Sequence, residues 1–388
     1  MLRNSTINKL CGLYDYNLCM ENEDGSMIKC ITGPNGYGKT TILNMVYYLL
    51  IQDWDSLCRI KFDGASFLFD NDEVTISKTI EFGPIDPSAD MPIEPDFTFQ
   101  ASLIQDGEMI SSFIRRSEKG NTHDRYEGKY PTQITAYLSS IPRFYIREDR
   151  KYVSYGNLDA SSDVKSMVEE DLTDFRERLA SVKGDIKNLI REVELPIDAH
   201  YTKQEYEDDC TSLIPQIERF AKYTLYTEGF PSYNQDNPRS TLSVVVALKQ
   251  VVNKYADFVS CIELFEDLVA KNKFTAKKMI VDSSFGYFFV MDNPQETPLD
   301  ASLLSSGEQH VIIQYYEMLF KAEKGALVLI DEPEMSYHMA WQIYYMRNLR
   351  RIIEKRNLQC IISTHSSQIF ERKWEHTCDL YKLTHKMF

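Results

Sequence analysis

The chain has 388 residues, of which 43% are hydrophobic, so it can bury a sizeable core and is long enough for two or more lobes. Its formal net charge of −15 argues against a protein coated with basic surface for non-specific nucleic-acid binding, although a local basic groove stays open. The eight cysteines are scattered without a Cys-x-x-Cys pair, which argues against a zinc ribbon or a disulfide framework. The sequence has neither a signal peptide nor an apolar run of ~20 residues, so we expect a soluble, cytoplasmic protein without a membrane segment.

The N-terminal part predicts a phosphate-binding loop. Residues 1–32 alternate short apolar runs with turn signals, which predicts two strands and a hairpin. They lead into residues 33–40, which fit the pattern G-x-x-x-x-G-K-[ST] and precede a helix-like run at 41–54. Glycines let backbone N–H groups surround phosphate oxygens, and the positive end of the following helix faces the same anion. Lys39 can then reach the β- and γ-phosphates, and Thr40 can bind Mg²⁺ through its hydroxyl.

The segment after this helix predicts an antiparallel sheet beside the nucleotide. Residues 59–69 and 74–80 are strand-like, and Asp63-Gly64 and Asn71-Asp72 suit tight turns. Residues 83–96 are rich in proline and acidic residues, which predicts a loop or lid. The pattern over 97–140 is unclear.

A helical arm is predicted over residues 161–275. Its first part has apolar residues at alternating spacings of four and three, over about four heptads. These apolar residues are Val168, Leu172, Phe175, Leu179, Val182, Ile186, Leu189 and Val193. Helix-like stretches follow at 203–227 and 242–271. The heptads fit a coiled coil and the core face of a packed helix equally well.

Strand character returns at 279–291, and three segments with functional side chains follow. Residues 304–309, Leu-Ser-Ser-Gly-Glu-Gln, taken alone predict a helix N-terminus capped by serine. The apolar run 326–330 predicts a buried parallel strand that ends in two carboxylates. Of these, Asp331 is suited to hold Mg²⁺ and Glu332 to polarise the attacking water.

A second buried strand is predicted at 360–364, and His365 stands just beyond its end. Ligands in parallel sheets bind at the carboxyl ends of strands. There His365 can form a hydrogen bond to the γ-phosphate or to the water. His338 follows Glu332 by six residues and is a weaker functional candidate than His365, because a role in shaping the turn also explains it.

Together these motifs resemble those of ABC-type ATPase heads. The resemblance rests on four motifs. The first two are Gly-Pro-Asn-Gly-x-Gly-Lys-Thr-Thr at 33–41 and the signature at 304–309. The other two are Asp331-Glu332-Pro333-Glu334, followed by His338, Trp341 and Gln342, and Ser363-Thr364-His365-Ser366. The sequence is most similar to overcoming-lysogenization-defect nucleases, chromosome-maintenance and recombination-repair ATPases, and the AAA family ATPases of bacterial anti-phage systems such as PARIS, Septu and some retrons.

The resemblance implies an α/β fold: an ABC-type P-loop ATPase head, with a mixed or parallel sheet and an antiparallel β-lobe, and an inserted α-helical arm. Residues 1–160 and 276–388 would form one split head, and 161–275 the arm. Two chains, or a higher oligomer, would sandwich two ATP molecules, with Ser306 and Gly307 of one chain on the ATP held by the other.

The expected cofactors are ATP and Mg²⁺, and the expected site residues fall into three groups. The nucleotide-binding residues are Asn35, Gly36, Gly38, Lys39, Thr40, Thr41, Ser305, Ser306, Gly307 and Glu308. The metal-binding residues are Thr40 and Asp331, and the catalytic residues are Glu332 and His365.

The leading functional hypothesis is an ATPase that senses or scaffolds, and that controls a separately encoded effector such as a nuclease or toxin in anti-phage defence. The arm is much shorter than the coiled coils of chromosome-maintenance proteins, and only 23 residues follow His365, too few for a nuclease domain. The alternative is a DNA-repair or recombination ATPase that clamps nucleic acid directly. Its support is a basic run on one predicted helix, Arg347, Arg350, Arg351, Lys355 and Arg356. The helical insertion and the Asp-Glu-Pro-Glu motif disfavour a third class, the nucleotide-binding subunit of a membrane transporter.

Overall fold

The computed structural model describes residues 1–70, 72–81, 96–117, 125–127, 132–147, 164–196, 199–271, 274, 276–293, 295–299, 303–337 and 339–385. The chain divides into two compact units. The first consists of Met1–Arg150 and Ala322–Phe388, and the second of Lys151–Lys321. The predicted loop at 83–96 lies almost wholly outside the described residues.

The strands and helices are numbered in chain order. The strands are β1 Leu2–Leu10, β2 Tyr14–Cys19, β3 Ile28–Thr32, β4 Gly64–Phe69, β5 Asp72–Glu81, β6 Asp96–Gln105, β7 Glu108–Ser117, β8 Arg125–Glu127, β9 Arg143–Ile146, β10 Lys277–Asp282, β11 Gly286–Met291, β12 Pro298–Leu299, β13 Leu327–Asp331, β14 Gln359–Ser363 and β15 Thr377–Asp379. The helices are α1 Lys39–Ile51, α2 Trp54–Arg59, α3 Thr132–Ser140, α4 Val164–Arg191, α5 Lys203–Lys222, α6 Pro238–Lys271, α7 Ser306–Tyr316, α8 Met339–Arg356 and α9 Leu380–Thr384.

A five-stranded parallel sheet lies at the centre of the first unit, in the order β15-β3-β14-β13-β9. Every residue of β3, β13 and β14 is buried, as expected for continuous apolar runs in a sheet covered on both faces. Asp331 pairs with Ser363, and Ser363 pairs with Ile31. The carboxyl ends of these three strands are therefore level, and the chain segments that follow them meet at one edge.

The first unit also contains a seven-stranded antiparallel sheet, in the order β2-β1-β4-β5-β6-β7-β8. The predicted α/β class, with a parallel sheet, an antiparallel β-lobe and inserted helices, is thus confirmed. The antiparallel sheet is larger than predicted, because β6 and β7 form a hairpin within the stretch that gave no clear pattern. Its turn residues Asp106 and Gly107 have φ angles of 50° and 80°, the left-handed backbone that a two-residue hairpin requires.

The two sheets of the first unit share one apolar core and are joined by a buried glutamine. The core contains Ile31, Phe67 and Leu329, contributed by β3, β4 and β13, and it includes the buried face of α1. Gln359, at the start of β14, accepts a hydrogen bond from Leu2 N at 2.9 Å and donates one to Leu2 O at 2.7 Å. This side chain thereby continues the hydrogen bonding from the parallel sheet to β1.

Replacing Gln359 by leucine should destabilise the first unit. Gln359→Leu removes both bonds to Leu2, which is 1% exposed, and each buried group left unpaired costs about 1–3 kcal/mol. We expect a clearly lower urea midpoint for Gln359→Leu. The exposed Gln204→Leu should stay within about 0.5 kcal/mol of wild type. Equal midpoints for the two variants would show that the glutamine bridge contributes little.

The second unit combines α4, α5, α6 and α7 with a small antiparallel sheet in the order β10-β11-β12. The ring of Phe175 on α4 lies 5.1–6.3 Å from those of Phe265, Tyr287, Tyr316 and Phe320. The heptad residues of α4 thus form its packed core face, the second of the two interpretations above. The sequence-based division placed β10–β12 and α7 with the head, and that division stays a prediction. In the described ranges no helix is both long and apolar enough to cross a bilayer.

Candidate functional site

The predicted phosphate loop connects β3 to α1 and depends on left-handed glycines. Gly36 and Gly38 have φ angles of 83° and 89°, and Gly38 is the N-cap of α1. A Cβ atom added to Gly38 would lie 2.7 Å from Leu10 Cδ2, so a larger residue would have to displace Leu10 and adopt a strained left-handed backbone. Asn35 and Gly36 are exposed, and Thr41 lies half-buried in the first turn of the helix. The loop therefore presents its backbone at the positive end of α1.

Lys39 is buried beneath this loop and is only 5% exposed. Its Nζ atom donates to Gly33 O at 3.1 Å and Pro34 O at 3.3 Å. Burial lowers the pKa of Lys39, and the carboxylates of Glu332, Asp331 and Glu334 oppose this shift. The ammonium group is thus held against the loop by carbonyl oxygens that a phosphate could replace.

Asp331 ends β13 and contacts Thr40 directly. Its Oδ1 atom accepts hydrogen bonds from Thr40 Oγ1 at 3.1 Å and from Ser363 Oγ. The carboxylate is 4% exposed. Burial raises the pKa of Asp331, while the hydrogen bonds from Ser363 and Thr40 act in the opposite direction. The two predicted metal-binding residues are therefore brought together by the loop and the strand.

Glu332 and His365 form a pair at the same edge. Glu332 has a left-handed φ of 43°, and its N–H donates to Ser363 O at 3.0 Å. His365 Nε2 lies 3.1 Å from Glu332 Oε1, and His365 Nδ1 lies 3.5 Å from Lys39 Nζ. A neutral ring with its proton on Nε2 satisfies both contacts, by donating to Glu332 and accepting from Lys39. His338 lies outside the described residues.

The donor set at this edge fits a nucleotide with Mg²⁺. Thr40 and Asp331 offer the hard oxygen ligands that Mg²⁺ prefers, and Lys39 and the loop N–H groups suit phosphate oxygens. Mg²⁺ usually takes one or two protein carboxylates and completes its shell with phosphates and water. The described part of the chain has no cluster of three or more His, Cys, Asp or Glu suited to a metal.

The signature residues cap α7 in the second unit. Ser305 Oγ accepts from Glu308 N at 3.4 Å, and Glu308 Oε2 accepts from Ser305 N at 2.8 Å, which is a capping box. Ser306 and Gly307 form the first turn of the helix. Lys277 Nζ on β10 contacts both carboxylate oxygens of Glu308, at 2.9 and 2.7 Å. The pattern of residues 304–309 predicted the cap, whereas no pattern indicated Lys277, which lies 31 residues away.

The ion pair of Lys277 and Glu308 should make the second unit sensitive to acid. Burial acts to raise the pKa of Glu308, but the hydrogen bonds from Lys277 and Ser305 outweigh it and leave the pKa lowered. A lowered pKa gives stability above the unfolded value of about 4.3, and this stability is lost as the pH falls through the folded value. We expect Lys277→Met to be less stable than wild type at pH 7 in urea denaturation. The difference should shrink below about pH 4, and a difference that is constant with pH would contradict this pairing.

A group of rings that the sequence did not reveal packs against the phosphate loop. Tyr37 stacks on Tyr14 with centroids 5.1 Å apart and contacts Tyr381 at 5.9 Å. Tyr381 in turn stacks on His385 at 4.3 Å. Tyr16 OH donates to Tyr37 O at 2.8 Å. These contacts fix the loop to β2 and α9, and Tyr37 gave no signal because it occupies a variable position of the motif.

The sheet edge, the glycine loop and the paired carboxylates define a P-loop nucleotide-binding domain of the ATPase type. The chain belongs to the family described as "AAA domain, putative AbiEii toxin, Type IV TA system", whose match covers residues 28–371. A search of the curated proteins found no match.

Two solved structures are similar over 95% of this chain and 90% of their own. One is an Smc head domain with an extended coiled coil bound to the C-terminal domain of ScpA, derived from Pyrococcus furiosus, with 12% identity and a TM-score of 0.38. The other is an SmcHead bound to the C-winged helix domain of ScpA, with 10% identity and a TM-score of 0.41.

Proposed function

We propose that this protein binds and hydrolyses ATP at the edge of its parallel sheet, between two copies of the chain, and thereby controls a separately encoded effector. One observation carries the proposal: at the ends of adjacent strands, His365 contacts both Lys39, 326 residues away in the sequence, and Glu332, while Thr40 is hydrogen-bonded to Asp331. This combination supplies a phosphate-binding cation, a metal site and a general base at one place.

The residues of the loop and of β13 bind the substrate. The loop N–H groups and Lys39 Nζ bind the phosphate oxygens, and Thr40 and Asp331 hold Mg²⁺. When bound, Mg²⁺ neutralises charge on the phosphates. Because Asp331 is buried and fixed by Ser363, its carboxylate needs little reorganisation to accept a cation.

Glu332 acts as the general base for hydrolysis. Its carboxylate accepts a proton from the attacking water, a role that suits a half-buried carboxylate beside the phosphate site. His365 orients this carboxylate through Nε2. The left-handed backbone at Glu332 turns the side chain out of the strand direction, which is a strained geometry typical of functional positions.

The partner chain supplies the signature. Ser305 and Ser306 are exposed at the N-terminus of α7, while Glu308 below them is buried and fixed by Lys277. An exposed helix N-terminus with free N–H groups attracts phosphate oxygens. We therefore assign Ser306 and Gly307 to the nucleotide held by Lys39 of a second copy.

Control of a separate effector is favoured over direct clamping of DNA. The description of the matched family names a toxin and a toxin–antitoxin system, which fits a chain that works with a second protein. The basic residues of α8 are largely engaged within the first unit. Arg350 pairs with Glu371 at 2.8 Å, Arg356 donates to Ala322 O at 2.8 Å, and Arg347 lies over the Tyr344 ring.

Lys39→Ala and Glu332→Gln should separate binding from hydrolysis. Loss of the Lys39 ammonium should weaken ATP binding about 10- to 100-fold, because a charged hydrogen bond contributes about 1.5–3 kcal/mol. Glu332→Gln should bind ATP normally and hydrolyse it about 10²- to 10⁴-fold more slowly, the usual contribution of a general base. Calorimetry and phosphate release measure the two effects, and the exposed Lys324→Ala is the control. Wild-type hydrolysis by Glu332→Gln would exclude Glu332 as the base.

Co-expression with the products of adjacent genes tests the effector role. We expect a stable complex with a nuclease- or toxin-like protein, detected by mass photometry of the purified sample. The alternative predicts assembly only with ATP and DNA. It also predicts an affinity for DNA that falls steeply with salt, as several phosphates are neutralised. Assembly that requires ATP and DNA, together with this salt dependence, would contradict effector control and support a nucleic-acid clamp.

A further inference from the structure

Glu334 binds the chain segment that carries His365. Its Oε1 atom accepts three hydrogen bonds, from Thr364 Oγ1 at 2.7 Å, His365 N at 2.6 Å and Ser366 N at 3.1 Å. One carboxylate oxygen therefore contacts three consecutive residues, with His365 in the middle. In the sequence, Glu334 is the last residue of the Asp-Glu-Pro-Glu motif, and no role for it could be assigned from the motif alone.

The local backbone explains how Glu334 reaches this segment. Because β13 and β14 are parallel and in register at their ends, the residues after them leave the sheet side by side. The left-handed φ of 43° at Glu332 turns the chain, and Pro333 begins a 3-10 helix over Pro333–Ser336. This short helix carries the Glu334 side chain across to the end of β14.

A second contact fixes the same segment from α8. Ser366 Oγ donates to Gln342 Oε1 at 2.9 Å, and Gln342 Nε2 donates to Tyr337 O at 3.3 Å. The segment that carries His365 is therefore bound by Glu334 on one side and by Gln342 on the other. The imidazole ring is left between Lys39 Nζ and Glu332 Oε1, at 3.5 and 3.1 Å.

The bonding of Glu334 is uneven. All three donors converge on Oε1, whereas Oε2 is buried and has no hydrogen-bond partner among the described residues. A buried oxygen without a partner costs free energy, so this arrangement is not the best one for stability alone. The carboxylate instead accepts hydrogen bonds from the Thr364 hydroxyl and from the N–H groups of His365 and Ser366. These bonds fix the peptide from which the ring extends.

We propose that Glu334 is a positioning residue for His365: it holds the loop after β14 so that the ring stays between Lys39 and Glu332. The inference rests on the proposed ATPase function, since it assigns Glu334 to the same reaction. Glu334 acts through His365, because its side-chain hydrogen bonds within the described residues are all to the segment 364–366. Its expected signature is a loss of kcat without a loss of ATP affinity.

Three variants test the proposal. Glu334→Leu removes the acceptor, whereas Glu334→Gln keeps an oxygen in the Oε1 position and places its amide where Oε2 had no partner. We expect kcat of Glu334→Leu to fall about 100-fold, the effect of a misplacement near 1 Å, with KM for ATP unchanged. Glu334→Gln should recover most of the activity. The exposed Glu354→Leu on α8 is the control and should behave as wild type.

Two results would overturn the proposal. Wild-type kcat in Glu334→Leu would show that the loop does not need this carboxylate. Equal loss of activity in Glu334→Gln and Glu334→Leu would show that the negative charge matters and that hydrogen-bond geometry does not. A rise in KM for ATP that accompanies the fall in kcat would also contradict positioning, because it would indicate general damage to the ATP site.

A measurement without ATP keeps this test independent of the ATPase proposal. Histidine labelled with ¹³C at Cε1 gives one NMR resonance per ring, and the His365 resonance is assigned by its loss in His365→Gln. We expect this resonance to shift and broaden in Glu334→Leu and to stay near its wild-type position in Glu334→Gln. An unchanged resonance in both variants would overturn positioning, whereas lack of hydrolysis by wild type would overturn only the proposed function.

Discussion

The candidate site depends on the parallel pairing of β13 with β14. This pairing places Asp331 opposite Ser363, and the next pairing places Ser363 opposite Ile31, so three strand ends lie level at one edge. Glu332, His365 and the phosphate loop follow directly from those ends. A register shift of one residue would turn the side chains to the opposite face. Asp331 would then lose its contacts with both Ser363 and Thr40.

Charge is the second constraint on this edge. Three carboxylates, from Asp331, Glu332 and Glu334, surround one buried ammonium group, that of Lys39. The local charge is therefore negative, and a triphosphate would add to it. In the proposed reaction a divalent cation held by Thr40 and Asp331 would balance this excess.

The sequence predicted those features that short segments determine. Glycine spacing indicated the phosphate loop, apolar runs indicated β13 and β14, and Ser305 indicated a helix cap. The hairpin of β6 and β7 was missed although its signal, Asp106-Gly107, was present between two apolar runs. The heptads of α4 could not reveal their packing partners, because one apolar stripe suits a coiled coil and a packed core alike.

Contacts between distant residues could not be predicted. The pairing of Lys277 with Glu308, the contact of Tyr37 with Tyr381 and the bonds from the segment of His365 to Glu334 all require the folded chain. Each pair joins residues that are distant in the sequence, and no motif spacing defines which of them meet. They are the contacts that hold the motif residues in place, which is why the motifs alone suggest a chemistry without its supporting structure.

The most direct test of the central claim is mass photometry of the Glu332→Gln protein with Mg²⁺ and either ATP or ADP. In the proposed site, one chain binds ATP and Ser306 of a second chain completes the binding site. Slow hydrolysis should therefore preserve the dimer. We expect ATP to convert the 45.1 kDa chain into a species of twice that mass, and ADP to leave it unchanged. The same mass with both nucleotides would contradict a site completed by a second copy.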